Sequence, residues 1–361
     1  MGENKVKPGR VDGHNSECRS GGVSISKELR HELAGIFGAH IDKGATKDKR
    51  VGQLTIEKRK EVILGAFSDL YFLRFKIKMV KSLGQKHIQA LVTLWETGGQ
   101  SPATIQNKLS ILRTFCGWIG KPGMVKASEK YVGNPDSVKR TMVAQEDKSW
   151  EAKGIDVLEK LAEIEKEYKK VSDVLLLCYA FGLRIREAVL LHLFKAEDSG
   201  SLKIVQGTKG GRVRSVPMEH EWQHAVLEGL KKKVNQKTGR FVTPKGGEAY
   251  IQRIYYIMRK HGLTLAELGV SAHGLRHQYF HERFFELLGI QPPVKGGDLS
   301  EVDKAEFEVA TGKLMERGGH SRTSIGVSYY GSRRIFDGNG QDESEPDAVS
   351  STEDEATKKK E

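Results

Sequence analysis

Residues 319–331 read GHSRTSIGVSYYG, which sets a histidine, His320, nine positions ahead of the first of two adjacent tyrosines, Tyr329 and Tyr330. Three upstream segments give this stretch its weight: GLRIRE at 182–187, GTKGGRVRSVP at 207–217 and HGLRHQYFHERF at 273–284. Together they supply two arginines, a lysine on a turn-rich tip, two histidines and a terminal tyrosine. Breaking a phosphodiester without a metal calls for such an inventory. A nucleophile attacks phosphorus, cationic donors hold the non-bridging oxygens, a base takes a proton and an acid returns one to the leaving oxygen. Arginine suits the clamp, because its planar fork donates two bonds and keeps its charge. Tyrosine suits the nucleophile, because a phosphotyrosine stores the energy of the broken bond.

Working outward, the 361 residues give a length prior of about two domains. The net charge of +12 is unevenly placed. Residues 337–361 carry nine acids against three lysines, a net of −6, which leaves +18 on the 336 residues before them. A body that basic favours a polyanion, most simply nucleic acid. No apolar run approaches the roughly 20 residues that a membrane helix needs, and the polar N-terminus lacks the apolar core of a secretory signal. Cys18, Cys116 and Cys178 lie far apart and read as free thiols in a reducing compartment.

Along the chain, residues 1–22 are polar and glycine-rich, a disordered basic arm. Residues 23–120 read as a helical domain whose basic charge suits DNA binding. One modest helical pattern runs through Leu29, Leu33, Ile36 and Phe37. Val62, Ile63, Ala66, Leu70 and Leu73 form a second face, and Ile88, Leu91, Val92 and Trp95 a third. Ser101 as N-cap with Pro102 in the first turn opens a helix through Ile105, Leu109, Leu112 and Phe115. Residues 121–150 lose the periodicity and read as a linker. Residues 151–336 form the second domain: an amphipathic helix at 154–169, one or two buried helices over 171–193 around Gly182, a hairpin from strands at 201–205 and 212–217, and helices at 220–234, 247–261 and 273–288. Residues 289–311 read as a loop followed by a short acidic helix, and 337–361 as an acidic disordered tail. The expected fold is mainly α with a small β-hairpin.

The four segments resemble the tyrosine recombinase family, the phage-type integrases. Family boxes of the form GLRxxE, a hairpin lysine ahead of RxVP, HxLRH and GHx8Y read here as Gly182–Glu187, Lys209, His273–His277 and Gly319-His320 to Tyr329. The match covers about 155–331 and looks most like integrases of bacterial mobile elements; the helical stretch 55–120 resembles the family's core-binding domain more loosely. The resemblance implies that Arg184 and Arg276 clamp the scissile phosphate. It makes Lys209 the acid for the leaving 5′ oxygen, His273 the base or a phosphate ligand, His320 a phosphate hydrogen-bond partner and Tyr329 the nucleophile. Glu187, one turn after Arg184, buttresses the site from behind. It further implies two domains clamping double-stranded DNA, a homotetramer on paired sites, and DNA-bending accessory proteins. No cofactor, metal or membrane enters, and the setting is the bacterial cytoplasm at the nucleoid.

Neighbouring residues read more plainly. Arg186 is expected at the surface or on DNA, His277 packed beneath the site, His281 structural, and Tyr330 pointing away from Tyr329. The recurrence of His273, His277 and His281 at i, i+4 and i+8 suggests zinc, but a zinc-protease helix needs Glu after the first His, and here Gly274 stands there. His273 and His320 stand 47 positions apart, more than in compact family members, the excess being 289–311. Two rival functions remain, the first using much the same residues. One is a type IB topoisomerase-like DNA-relaxing enzyme; the other is a catalytically inactive DNA-binding regulator.

Overall fold

The structure, a computed structural model, describes residues 25–44, 50–139, 141–320 and 322–332, apart from the side chains of Ser137 and Lys209. The expected arm at 1–22 and acidic tail at 337–361 lie outside the described residues. The chain divides into two compact units between residues 141 and 142.

The first unit is helical. Its helices are α1 (Lys27–His40), α2 (Gln53–Phe72), α3 (Gln85–Thr97) and α4 (Pro102–Trp118). Two starts are set by serine caps: Ser26 Oγ accepts the Leu29 amide at 3.2 Å and Ser101 Oγ the Thr104 amide at 3.3 Å. Each helix turns one apolar stripe inward, so that Leu33, Phe67, Leu91 and Phe115 share a core. Trp95 enters it whole and satisfies its indole N–H on Asp69 Oδ2 at 2.8 Å.

The second unit begins with α5 (Val157–Phe181), followed by α6 (Ile185–Leu190) and α7 (Leu193–Ala196). The helices expected at 154–169 and from 171 are one element, α5, interrupted only by a non-helical Tyr168 (φ −127°, ψ 58°). Three short strands, β1 (Glu197–Asp198), β2 (Ser201–Ile204) and β3 (Arg214–Pro217), make an antiparallel sheet in that order. Leu202 faces Val216 and Ile204 faces Arg214. Strand β1 has no apolar pattern, and its place in the sheet comes from pairing alone. Helices α8 (Glu221–Lys233), α9 (Gly247–Lys260), α10 (Ala272–Leu288), α11 (Lys304–Arg317) and α12 (Val327–Tyr330) complete the unit. The acidic helix expected near 311 runs on to Arg317 and ends directly before Gly318 and Gly319. The stretch 121–150, read as a linker, is packed at both ends. Val125 and Tyr131 join the first core, and Trp150 is fully buried in the second.

Helix α10 is the axis of this unit and packs along α5. Where they meet, α5 stops at Gly182 in the left-handed conformation (φ +59°). A Cβ there would sit 2.4 Å from the buried Tyr279 ring, so only glycine permits this close approach. Gly182→Ala is expected to cost roughly 2–5 kcal/mol, from left-handed strain and overpacking together. A lowered urea midpoint with an unchanged slope checks this; an unchanged midpoint refutes it.

Candidate active site

The first site residue follows from that stop. Leu183 is buried, and Arg184 takes the N-cap position of α6 with extended backbone (φ −71°, ψ 147°). Its amide donates to Glu187 Oε2 at 2.8 Å and its Nη1 to Glu187 Oε1 at 2.9 Å. Glu187 is fully buried, which a carboxylate accepts only when paired. Its second partner is Arg214, whose Nη1 and Nη2 reach the two carboxylate oxygens at 2.6 and 2.7 Å. Burial works against ionisation of Glu187, but the Arg214 hydrogen bonds and charge outweigh it, together with Arg184, and hold its pKa below the usual value.

Arg214 was not among the candidates read from sequence. Its signal was the period of two: Arg214 and Val216 lie on the same face of β3, and Val216 is core. Arg214 Nε also donates to the Arg317 carbonyl at 2.7 Å, at the end of α11. One guanidinium thus joins the sheet, α6 and the turn that presents His320.

Arg276 is fully buried in α10. Its Nη1 donates to the Gly182 carbonyl, its Nη2 to the Gly318 carbonyl at 2.8 Å, and its Nε to Tyr329 Oη at 3.1 Å. Burial lowers its pKa to about 10, which leaves it cationic at neutral pH. His320 Nε2 lies 3.4 Å from Arg184 Nη2, 3.4 Å from Arg276 Nη2 and 3.2 Å from Tyr329 Oη. Tyr329 itself is buried against Phe280 and His277, with ring centroids 4.6 and 4.8 Å away. Arg184, Arg276, His320 and Tyr329 therefore meet at one point.

His273 stands at the rim, exposed, its ring centroid 6.0 Å from that of Tyr329. Lost hydration in the cleft lowers its pKa to about 4, helped by the charges of Arg276, Arg184 and Lys148. At neutral pH it is an uncharged imidazole with a free lone pair. Lys209 opens the short turn Lys209–Gly211 between β2 and β3, while its side chain lies outside the described residues. Arg186 is at the surface, paired with Glu248 at 2.7 Å. Tyr330 points away into Phe284 and Phe307. Among the described residues no group of three His, Cys, Asp or Glu side chains is arranged to hold a metal ion. None of the described helices is long and apolar enough to cross a membrane. Cys116 and Cys178 are buried free thiols; Cys18 lies outside the described residues.

Removing one partner of a buried ion pair strands the other. Arg214→Met is expected to destabilise the second unit by about 3–5 kcal/mol. The pH dependence has two windows. His277, buried, has its pKa lowered to about 3, so the unfolded chain takes up a proton that the folded chain refuses as pH falls from 6.5 towards 3. Stability drops across that window, and His277→Phe flattens the drop. The depressed Glu187 stabilises fully above its ordinary 4.5 and loses that contribution as pH falls through its lower folded value. Glu187→Gln removes this more acid limb and also lowers the midpoint across the whole range, because it leaves Arg214 buried without its counter-charge. Urea midpoints from pH 7 to 3 separate the two; identical profiles for wild type and both variants contradict the assignment.

Comparison with known proteins bears on the family and the fold. Residues 143–282 match a family model described as "Integrase", and 44–125 one described as "Phage integrase, N-terminal". Tyrosine recombinase XerC of Corynebacterium efficiens is 24% identical over 229 residues, 62% of this chain and 72% of that protein. A lambda integrase tetramer bound to a Holliday junction superposes with a TM-score of 0.52 at 13% identity, covering 87% of this chain and 79% of that one. The Tn1549 transposon integrase in complex with circular intermediate DNA gives 0.51 at 16% identity, covering 83% and 95%. These structural likenesses speak for the fold, and the family models and relatives for descent: the chain belongs to the tyrosine recombinases, the phage-type integrase family, enzymes that cleave and rejoin DNA in site-specific recombination.

Proposed function

We propose that Tyr329 is the nucleophile of this recombinase and that the groups around it divide the remaining work. The observation that carries the reading is the position of Tyr329 Oη, 3.1 Å from Arg276 Nε and 3.2 Å from His320 Nε2, with Arg184 on the same histidine nitrogen. One guanidinium and an imidazole reach the tyrosyl oxygen and a second guanidinium reaches that imidazole, which makes an anion site with a nucleophile inside it. Arg184 and Arg276 hold the non-bridging oxygens of the scissile phosphate, and His320 adds a hydrogen bond. Neutral His273 accepts the tyrosyl proton or ligates the phosphate. The Tyr329 oxygen bonds to phosphorus as the bond to the 5′ oxygen breaks. Lys209 protonates that oxygen as it leaves. A 5′ hydroxyl of the partner strand then attacks the 3′-phosphotyrosine, the tyrosyl oxygen leaves, and the phosphodiester is restored without ATP or metal.

Glu187 serves from behind by fixing Arg184 and Arg214. The basic helical unit and the catalytic unit both engage double-stranded DNA. By analogy with the junction-bound lambda tetramer, four copies act on paired sites, with DNA-bending proteins as accessories. The setting is the bacterial cytoplasm at the nucleoid, and 23–120 and 151–336 form the bodies of the two units, each extended by a packed end of 121–150, with a terminal arm and tail outside them.

A nicked suicide duplex, recovered from a randomised library by its covalent adduct, is expected to trap the chain as a 3′-phosphotyrosyl species in EDTA. Tyr329→Phe abolishes the adduct, and Tyr330→Phe retains it. An adduct from the Tyr329 variant refutes the nucleophile. Relaxation of supercoils without strand exchange points to a topoisomerase-like enzyme, and no adduct at all to a DNA-binding regulator.

Lys209 and the arginines separate on a substrate whose bridging 5′ oxygen is sulfur. A thiolate leaves without a proton, so Lys209→Ala, slowed by roughly 10²–10⁴ on the ordinary substrate, is largely restored. Arg184→Ala and Arg276→Ala are not, because guanidinium holds charge and does not give up its proton. Equal failure of all three moves the acid role to His273.

A further inference from the structure

Helix α12 carries Tyr329 but has only four residues, Val327–Tyr330. A helix that short does not form alone, because fixing the first turn costs more than its single hydrogen bond returns. Something outside it must hold it. Tyr330 supplies an apolar wedge against Phe284 and Phe307. Two of the helix's carbonyls are also held from outside. The Ala144 amide donates to the Val327 carbonyl at 2.8 Å. His281 Nε2 donates to the Tyr329 carbonyl at 2.8 Å, and the direction is fixed because a carbonyl oxygen only accepts.

Both holds lead to one segment, 142–150, which in the chain follows the first unit. Ala144 belongs to it. So does Asp147, whose Oδ1 lies 3.3 Å from His281 Nδ1 and accepts the Ser149 amide at 2.8 Å. His281 Nδ1 makes no hydrogen bond, so its contact with Asp147 is an ion pair when the ring carries its second proton. Burial opposes a charged Asp147, yet His281 and Ser149 outweigh it and hold the carboxyl well below its usual range. The segment is itself anchored: Trp150 is fully buried and its indole N–H donates to the Ser271 carbonyl at 2.8 Å. It passes over the first turn of α10 at Gly274, where a Cβ would lie 2.6 Å from the Lys148 carbonyl. The glycine of the HGLRH segment is the residue that lets it through.

We propose that His281 is a positioning residue for the nucleophile, and that segment 142–150 straps α12 in place through Ala144 and the Asp147–His281 pair. The strap fixes the backbone at Tyr329 and two residues before it, and so sets where the tyrosyl oxygen stands relative to Arg276 and His320. It also ties the nucleophile to the stretch of chain that joins the DNA-binding unit to the catalytic one. The inference rests on Tyr329 being the nucleophile.

The test uses the full chain and the library-selected nicked duplex, measuring DNA affinity and the rate of adduct formation separately. His281→Phe removes the donor and keeps the bulk. It is expected to slow adduct formation about a hundredfold, as a displacement near 1 Å does, with affinity near wild type and a urea midpoint lowered only by the one carbonyl left unpaired. His281→Gln returns a side-chain N–H and regains most of the rate. Ala144→Pro deletes the other donor without touching α10 and is slowed as well, while Asp147→Asn gives a smaller loss. His281→Phe at the wild-type rate, with Tyr329→Phe inactive, overturns the strap and leaves the nucleophile standing. A rate loss matched by equal loss of affinity and stability, with no recovery in His281→Gln, assigns His281 a structural role only and also overturns the proposal. An adduct formed by Tyr329→Phe overturns the reading beneath it instead.

Discussion

The buried pair of Glu187 and Arg214 is the constraint on which the catalytic unit depends. A carboxylate without water is stable only if its lone pairs are filled, and Arg214 fills both oxygens at 2.6 and 2.7 Å. Arg184 adds its amide and one guanidinium nitrogen to the same carboxylate. The remaining donor of Arg214 closes on the Arg317 carbonyl, next to the turn that carries His320. Three segments far apart in sequence are registered by one set of charge-assisted bonds. Arg184 is left with Nη2 facing His320, so the pairing orients the guanidinium without consuming it.

Arg276 shows the same logic on α10. Two carbonyls, of Gly182 and Gly318, hold its Nη atoms, and Nε is aimed at Tyr329. Both carbonyls belong to glycines at chain reversals, where the backbone turns its polar groups inward. Burial without water makes each of these bonds stronger and each error more costly. The result is a preorganised positive cleft whose cations are fixed before any phosphate enters.

The tyrosine is held differently. Arg276 and His320 reach its hydroxyl, but its backbone depends on tethers from α10 and from segment 142–150. In the proposed reading, rigid clamp and tethered nucleophile are two levels of order in one site. A short helix fixed by a few bonds shifts more readily than a guanidinium locked by carbonyls.

The order of the boxes, their residue types and the spacing of nine between His320 and Tyr329 were legible in the chain itself, because chemistry restricts which side chains clamp a phosphate or attack it. Helix faces and the Ser101 cap were legible too, since apolar period and capping are local. The continuity of α5 across Tyr168, the pairing of β1 and the extent of α11 were not, because those bounds come from packing against distant residues. Arg214 drew no reading of its own, and His281 read as structural. Only the tertiary structure gives Arg214 a buried carboxylate 27 residues away and His281 a carbonyl 48 residues away. Sequence determines which groups are available. Burial decides which of them must be paired, and an unpaired polar group away from water is costly enough that the fold is built around those pairings.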